Sequence, residues 1–192
     1  MPDRNDAALD FLSSRRSTPA KTLTTPVPDL EALSEILTIA ARVPDHGMLV
    51  PWRFCVLQKP QLDKISQIAK DRAIAMGKPD EVVAKAHGQF DRGHLCVAVI
   101  SSPKDSEKVP QVEQVLSTGA VCVSMVNAAL AMGWGAQWIS GWISHDAEFA
   151  QQALGADPHE FIAGFIYFGT APDRTPMRAR PDLTKLISWP HK

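Results

Sequence analysis

Arg42-Val43-Pro44-Asp45-His46-Gly47-Met48-Leu49-Val50-Pro51-Trp52-Arg53-Phe54 is where the chain passes from helix to strand, and its reading sets the fold. Pro44 lacks a backbone N–H and carries a ring that clashes with a continuing helix, so a helix arriving from upstream stops there. Upstream, Leu30, Leu33, Ile36, Leu37 and Ala40 recur at helical spacing behind Asp29, a good N-cap. They predict a helix through Arg42. Downstream, Phe54, Val56 and Leu57 favour extended backbone and predict a strand over Trp52–Gln58. Between the two, Asp45-His46-Gly47 makes a tight turn with ring donors, and Pro51-Trp52 adds a flat apolar surface.

The same reading extends in both directions. Residues 7–14 predict a short helix, with Ala8, Leu9, Phe11 and Leu12 on its apolar side, that ends in Arg15-Arg16-Ser17. Amphipathic helices follow over 61–77 and 80–90, then a short buried strand over Leu95–Ser101. Pro110 suits a helix first turn and opens a long apolar helix to Met132. A strand over Gly135–Ile139, a helix over 146–154 capped by Ser144, and a strand over 161–170 complete the order. Helices separate the strands and no Asn-Gly hairpin occurs, so the expected class is α+β, a mixed central sheet covered by helices.

Composition narrows the function classes. The 192 residues suit one domain with a sizeable core, and 45% hydrophobic with 21% charged content is ordinary for a globular chain. A net charge of −1 offers no broad basic field for nucleic acid. The apolar stretch 119–136 contains Ser124 and Asn127 and reads as a buried helix rather than a membrane span. Cys55, Cys96 and Cys122 form no CxxC pair and read as free thiols of a reducing cytoplasm. His87 and His94 have no ligand set around them, so no metal is expected. No P-loop, Gly-x-Ser-x-Gly or Gly-x-Gly-x-x-Gly after a strand is present.

Two readings stand beside each other at the polar candidates. Arg15 and Arg16 are either a solvated helix end favoured by the dipole, or charge-assisted donors for a phosphate with Ser17 beside them. Arg42 is a helix-end arginine or a ligand contact. His46 is a turn residue or a ligand, with Asp45 either orienting its ring or capping the turn.

Taken in order, these segments resemble the nitroreductase family of flavoproteins, in the branch with Pro-Asp-His before Pro-Trp-Arg-Phe. The resemblance runs from about Phe11 to about Thr170. Its later landmarks are Glu113-Gln114, Gly133-Trp134-Gly135-Ala136, Trp138-Ile139-Ser140-Gly141 and Gly164-Phe165-Ile166-Tyr167-Phe168-Gly169. It implies an intertwined homodimer with FMN at the subunit interface. It also implies NADH or NADPH as a transient electron donor, and a nitroaromatic or quinone-like small molecule as acceptor. By resemblance, Arg15, Arg16 and Ser17 grip the phosphate and ribityl chain, Arg42 and His46 contact the flavin, and Trp138, Ile139 and Ser140 approach its phosphate or ring. Gln114 and Gly133 become substrate-side candidates. The proline-rich end, about 171–192, with Met177, Leu183, Leu186, Ile187 and Trp189, becomes an arm that wraps a neighbour.

Met48 and Val50 depart from the family, where an Asn and a Gln commonly precede the Pro-Trp. The departure keeps open a flavin-binding carrier, sensor or partner-binding protein without turnover. A helix-rich interaction protein with no cofactor is the third reading.

Overall fold

A computed structural model describes residues 3–172 and 179–190. Met177 of the expected arm lies outside the described residues. The strand β2 (Leu95–Ser101) is buried along its whole length, because its alternating side chains serve two cores. Cys96, Ala98 and Ile100 pack with Leu62, Ile65, Phe90 and Phe149 from α3 (Lys59–Ala75), α4 (Asp80–Asp91) and α6 (Ala147–Leu154). Val97 and Val99 pack with Ile36 and Met125 from α2 (Leu30–Ala40) and α5 (Gln111–Ala131). Each valine, isoleucine, leucine, methionine or phenylalanine among them contributes about 1.5–3 kcal/mol by leaving water, so this one strand anchors helices on both faces.

The sheet order is β1-β2-β4-β3, with β1 Trp52–Gln58, β3 Gly135–Ile139 and β4 Phe161–Gly169. The α+β class holds, with one refinement of the expected mixed sheet: all three pairings are antiparallel. The reason lies in the connection. The crossover helix α5 carries the chain from β2 to β3, which run in the same sense, and β4 then inserts between them with the opposite sense. By length and composition α5 could cross a membrane, yet it packs here against α2 and the sheet as a core helix.

Caps and clasps fix the ends. The Asp29 carboxylate accepts from Ala32 N at 2.9 Å and starts α2. At α6 the cap is Asp146, not Ser144. The Asp146 carboxylate accepts from Phe149 N at 2.7 Å and from the Arg72 guanidinium at 2.9 Å twice, tying α3 to α6. Ser144 sits in the preceding turn with its hydroxyl buried and unbonded. Burial alone would raise the Asp146 carboxyl, but the hydrogen bonds from Arg72 and Phe149 N prevail and hold it below its ordinary value. On β1, Arg53 forks onto Glu160 at 2.8 and 2.6 Å, joining the start of β1 to the turn before β4. Those hydrogen bonds, against the opposing effect of burial, lower the Glu160 carboxyl to about 2.

Some apolar surface has no cover within the chain. The helix α1 (Asp6–Ser14) buries none of its residues, and Leu9 and Leu12 stay exposed. Val112, Leu116 and Val123 form an exposed apolar stripe along α5. Leu183, Leu186 and Ile187 near the C-terminus are exposed as well.

Candidate functional site

The strand β3 is an edge strand, and the segment after α1 lies along it. Thr18 N–H donates to Ala136 O at 2.9 Å, and Ala20 N–H donates to the Gln137 side-chain oxygen at 2.5 Å. These two bonds draw Arg15-Arg16-Ser17 to the same side of the sheet as Trp138-Ile139-Ser140, which the sequence reading had named separately. A cavity of about 270 Å³ opens where this segment and β3 face α4. Pro19, Ala20 and Ile139 give it apolar walls, and Gln89, Gln137 and Tyr167 its polar lining. Lys21, Lys85 and Arg92 also line it.

Two of the polar groups here lack partners. The Tyr167 hydroxyl and the Gln89 amide nitrogen are buried without a hydrogen bond, although Gln89 and Cys96 lie beside the hydroxyl. Burial, and then the neighbouring Cys96, raise the Tyr167 phenol well above its ordinary value, so it remains a neutral donor. Arg15 donates to Ser17 Oγ at 3.0 Å, while its Nε is buried and unbonded. Burial, and then the charge of Arg180, lower the Arg15 pKa. A guanidinium bonded to a hydroxyl, with a second guanidinium near it and one buried donor unused, is the donor set a phosphate needs. The apolar walls and neutral donors of the adjoining cavity suit a flat heterocycle. The residues present therefore fit a planar group with a phosphate tail. Arg180 escaped the sequence reading because it lies in the proline-rich end, where no periodic pattern singles it out.

At β3, Trp138 spends its ring N–H on Ala163 O at 3.1 Å, lying across Gly164. A Cβ at Gly164 would fall 1.9 Å from the indole nitrogen, so any side chain there displaces the ring. Only Ile139 of the three named residues lines the cavity. Ser140 is exposed just beyond the strand.

The His46 turn is elsewhere. It precedes β1, at the opposite edge of the sheet, and no residue of 42–54 lines the cavity. Three strand spacings, about 14 Å, separate the two edges. Within a single chain the two segments therefore do not frame one pocket. The cause is the order β1-β2-β4-β3, which sends the segments to opposite edges.

The turn itself is closely held. Asp45 accepts from Val50 N at 2.8 Å, Ser117 donates to Pro44 O at 2.5 Å, and Thr118 donates to Pro51 O at 3.0 Å. Met48 and Val50 have φ of 52° and 48°, left-handed values that non-glycine residues rarely adopt. Both side chains are exposed, Met48 at 86%. His46 Nδ1 lies 2.7 Å from the Glu113 carboxylate, which leaves Nε2 as the ring atom available to a ligand. Arg42 is exposed just beyond α2.

Of Glu113-Gln114, the neighbour of the named residue is the one at the turn. Gln114 is buried, and its amide accepts from Lys104 N and donates to Lys104 O and Val109 O, so its polar atoms hold the loop before α5. Gly133 likewise has a structural use. Its φ of 85° ends α5, with Trp134 N–H donating back to Ala129 O. Cys55, Cys96 and Cys122 are free, and burial raises all three thiols, Cys122 to about 12. None has thiolate character for nucleophilic chemistry. Among the described residues no group of three or more His, Cys, Asp or Glu is placed to hold a metal ion.

A helix-covered antiparallel sheet with a phosphate-type donor set beside its edge strand defines a class, and comparison names it. The Nitroreductase family model matches residues 12–170, and the chain belongs to that family. Among its relatives is "Putative NAD(P)H nitroreductase YdjA" of Escherichia coli (strain K12), 35% identical over 163 residues, 85% of this chain and 87% of that protein. The fold is also that of a nitroreductase-like family protein from Bacillus cereus, with a TM-score of 0.79 at 20% identity and full coverage of both chains. A Bacteroides fragilis nitroreductase with bound FMN superposes with a TM-score of 0.74 at 18% identity, covering 97% of this chain and 99% of that one.

Proposed function

We propose that this protein is an FMN-dependent oxidoreductase that uses NADH or NADPH to reduce nitroaromatic or quinone-like acceptors. The observation that carries the reading is the Arg15, Ser17 and Arg180 donor set, with its unused buried Nε; Arg15 and Ser17 stand just before Pro19 and Ala20, which line an apolar-walled cavity. Family membership and an FMN-bound structural relative support it. In this reading the chain is one domain with a C-terminal arm at about 171–192. It works in the cytoplasm, where thiols such as the buried Cys96 and Cys122 stay reduced.

Arg15 and Arg180 hold the phosphate through charge-assisted hydrogen bonds, with Ser17 and Arg16 beside them. Pro19, Ala20 and Ile139 would give the ring apolar walls, and the Tyr167 hydroxyl and Gln89 amide would serve as donors to it. When bound, the flavin supplies hydride acceptance and donation. Arg42 and His46 reach the flavin only from a second copy of the chain, because the sheet order keeps them from the cavity of their own chain. The reading thus requires a homodimer with FMN at the subunit interface. The uncovered apolar residues of α1, α5 and the C-terminal segment provide surface for it. Glu113 fixes the His46 ring through Nδ1 and keeps a proton there, leaving Nε2 to face the ligand. Trp138 and Ser140 act through backbone and position at the end of β3.

The exposed apolar Met48 and Val50, at places where the family commonly has Asn and Gln, favour one second reading: a flavin-binding protein without turnover. Anaerobic titration of the FMN-loaded protein separates the two. Bleaching of the flavin by NADH or NADPH, reversed by a nitroaromatic or a quinone, is expected. A yellow protein that neither nucleotide bleaches refutes the enzyme reading, and a protein that takes up no FMN refutes both.

A further inference from the structure

We propose that the cavity between α4 and β3 selects reactants that carry an oxyanion, through Lys21, Lys85 and Arg92 at its rim. The inference rests on the proposed function and names the chemistry its reactants share. Three cations line the cavity and, among the described residues, no carboxylate does. All three are exposed, and none makes an ion pair among the described residues. Arg53, Lys59 and Arg72, by contrast, are all paired with carboxylates of their own chain.

The three come from two separate segments. Lys21 follows the strip along β3. Lys85 and Arg92 are seven residues apart, which puts them on one side of α4 and its end. Between them sits Gly88, inside the helix, where a glycine costs about 0.5–1 kcal/mol relative to alanine. A Cβ at Gly88 would lie 3.0 Å from the Arg92 guanidinium. The glycine therefore makes room for Arg92 to fold against the helix at the cavity, an arrangement that a solvated charge pointing away has no need of.

Deeper in the same cavity, the Tyr167 hydroxyl and Gln89 amide nitrogen are buried donors without partners, and Tyr167 is 1% exposed. With the flavin of the proposed function taking up the apolar walls and these donors, the positive charge at the rim is left to face a flat reactant that lies over the flavin and carries a negative group at its edge. Walls of low dielectric focus that charge at the mouth. Two sources carry the required oxyanion: a carboxylate on an aromatic acceptor, and the extra phosphate of NADPH relative to NADH.

Calorimetric titration of the FMN-loaded protein with benzoate against benzyl alcohol, and with NADP+ against NAD+, tests the proposal at equilibrium and separates the sources. The wild type is expected to bind the more anionic member of at least one pair about ten-fold more tightly. In Lys85→Gln/Arg92→Gln that ratio falls to about two-fold or less. In the wild type it shrinks between about 50 mM and about 500 mM salt, as contacts between exposed charges do. Ratios within two-fold for both pairs in the wild type overturn the proposal, as does a preference that survives in the folded double variant. If the double variant does not fold, the salt series decides: a preference that salt leaves unchanged overturns it. A wild type that takes up no FMN refutes the proposed function instead. The same titrations on that FMN-free protein then decide the cavity's preference.

Discussion

Replacing Met48 with glycine should stabilise the protein, although glycine at an exposed position usually does the reverse. Met48 holds φ of 52°, a left-handed conformation that costs a residue with a Cβ about 1–2 kcal/mol. Glycine removes that cost. It also gives the unfolded chain more freedom, which offsets about 0.4–1 kcal/mol. At 86% exposure the methionine loses almost no burial on truncation. The balance is a gain of about 0.5–1 kcal/mol, or a melting temperature higher by roughly 1–4 °C for a chain of this size. Thermal and urea denaturation of the FMN-free protein at fixed concentration measure it. Leu49→Gly serves as the control: its φ of −78° is ordinary, so it should only destabilise. If Met48→Gly loses stability as Leu49→Gly does, the turn stores no strain and the reasoning is wrong.

Other outcomes follow from the same geometry. Glu160 titrates at about 2 in the folded protein against an ordinary 4.5, so its contribution is complete above about 4.5 and lost as pH falls toward 2. With Arg53 partly exposed, that contribution is of order 2 kcal/mol. Acid unfolding monitored by circular dichroism should show Glu160→Gln losing most of the difference between pH 7 and pH 3. Asp146→Ala, which removes the α6 cap and leaves Arg72 with Glu148 as its one carboxylate among the described residues, should cost about 2–3 kcal/mol in denaturant unfolding, while Ser144→Ala costs under about 1. Arg15→Ala should weaken FMN binding by about 1.5–3 kcal/mol, roughly 10- to 150-fold, in a fluorescence titration. An unchanged affinity removes the phosphate assignment.

The elements were legible because their periodicities are strong. Leu30 to Ala40 repeat at helical spacing, and β2 is too short and too apolar for anything but a buried strand. Strand sense was not legible, since nothing local shows that β4 inserts between β2 and β3. Asp146 and Ser144 are both good capping residues two positions apart, and only the bond from Phe149 N–H to the Asp146 carboxylate shows which is used. Gln114 carried a signal that could have been read. With Ser117, Thr118 and Val121 it forms the i, i+3, i+4, i+7 face that α5 buries.

The candidate site divides in the same way. Arg15 to Ser17 and β3 are far apart in sequence and meet through Thr18 N–H and Ala136 O, a pairing without a sequence signature. Lys85 and Arg92 read as the solvated side of an amphipathic helix, and only the cavity shows what they surround. The strain at Met48 and Val50 has no compositional mark either. It is set by the ties from Asp45, Ser117 and Thr118 that fix the turn.

Subunit mixing tests most directly whether the FMN site is assembled from two chains. Arg15→Ala/Arg180→Ala and Arg42→Ala/His46→Ala are prepared separately, each expected to bind FMN poorly, and then exchanged in equal amounts. Random pairing puts half the chains' sites in mixed dimers, and one site of each mixed dimer has both halves intact. FMN uptake should recover to about one quarter of the wild-type value. Uptake that stays at the level of the separate variants would contradict a site shared between two copies.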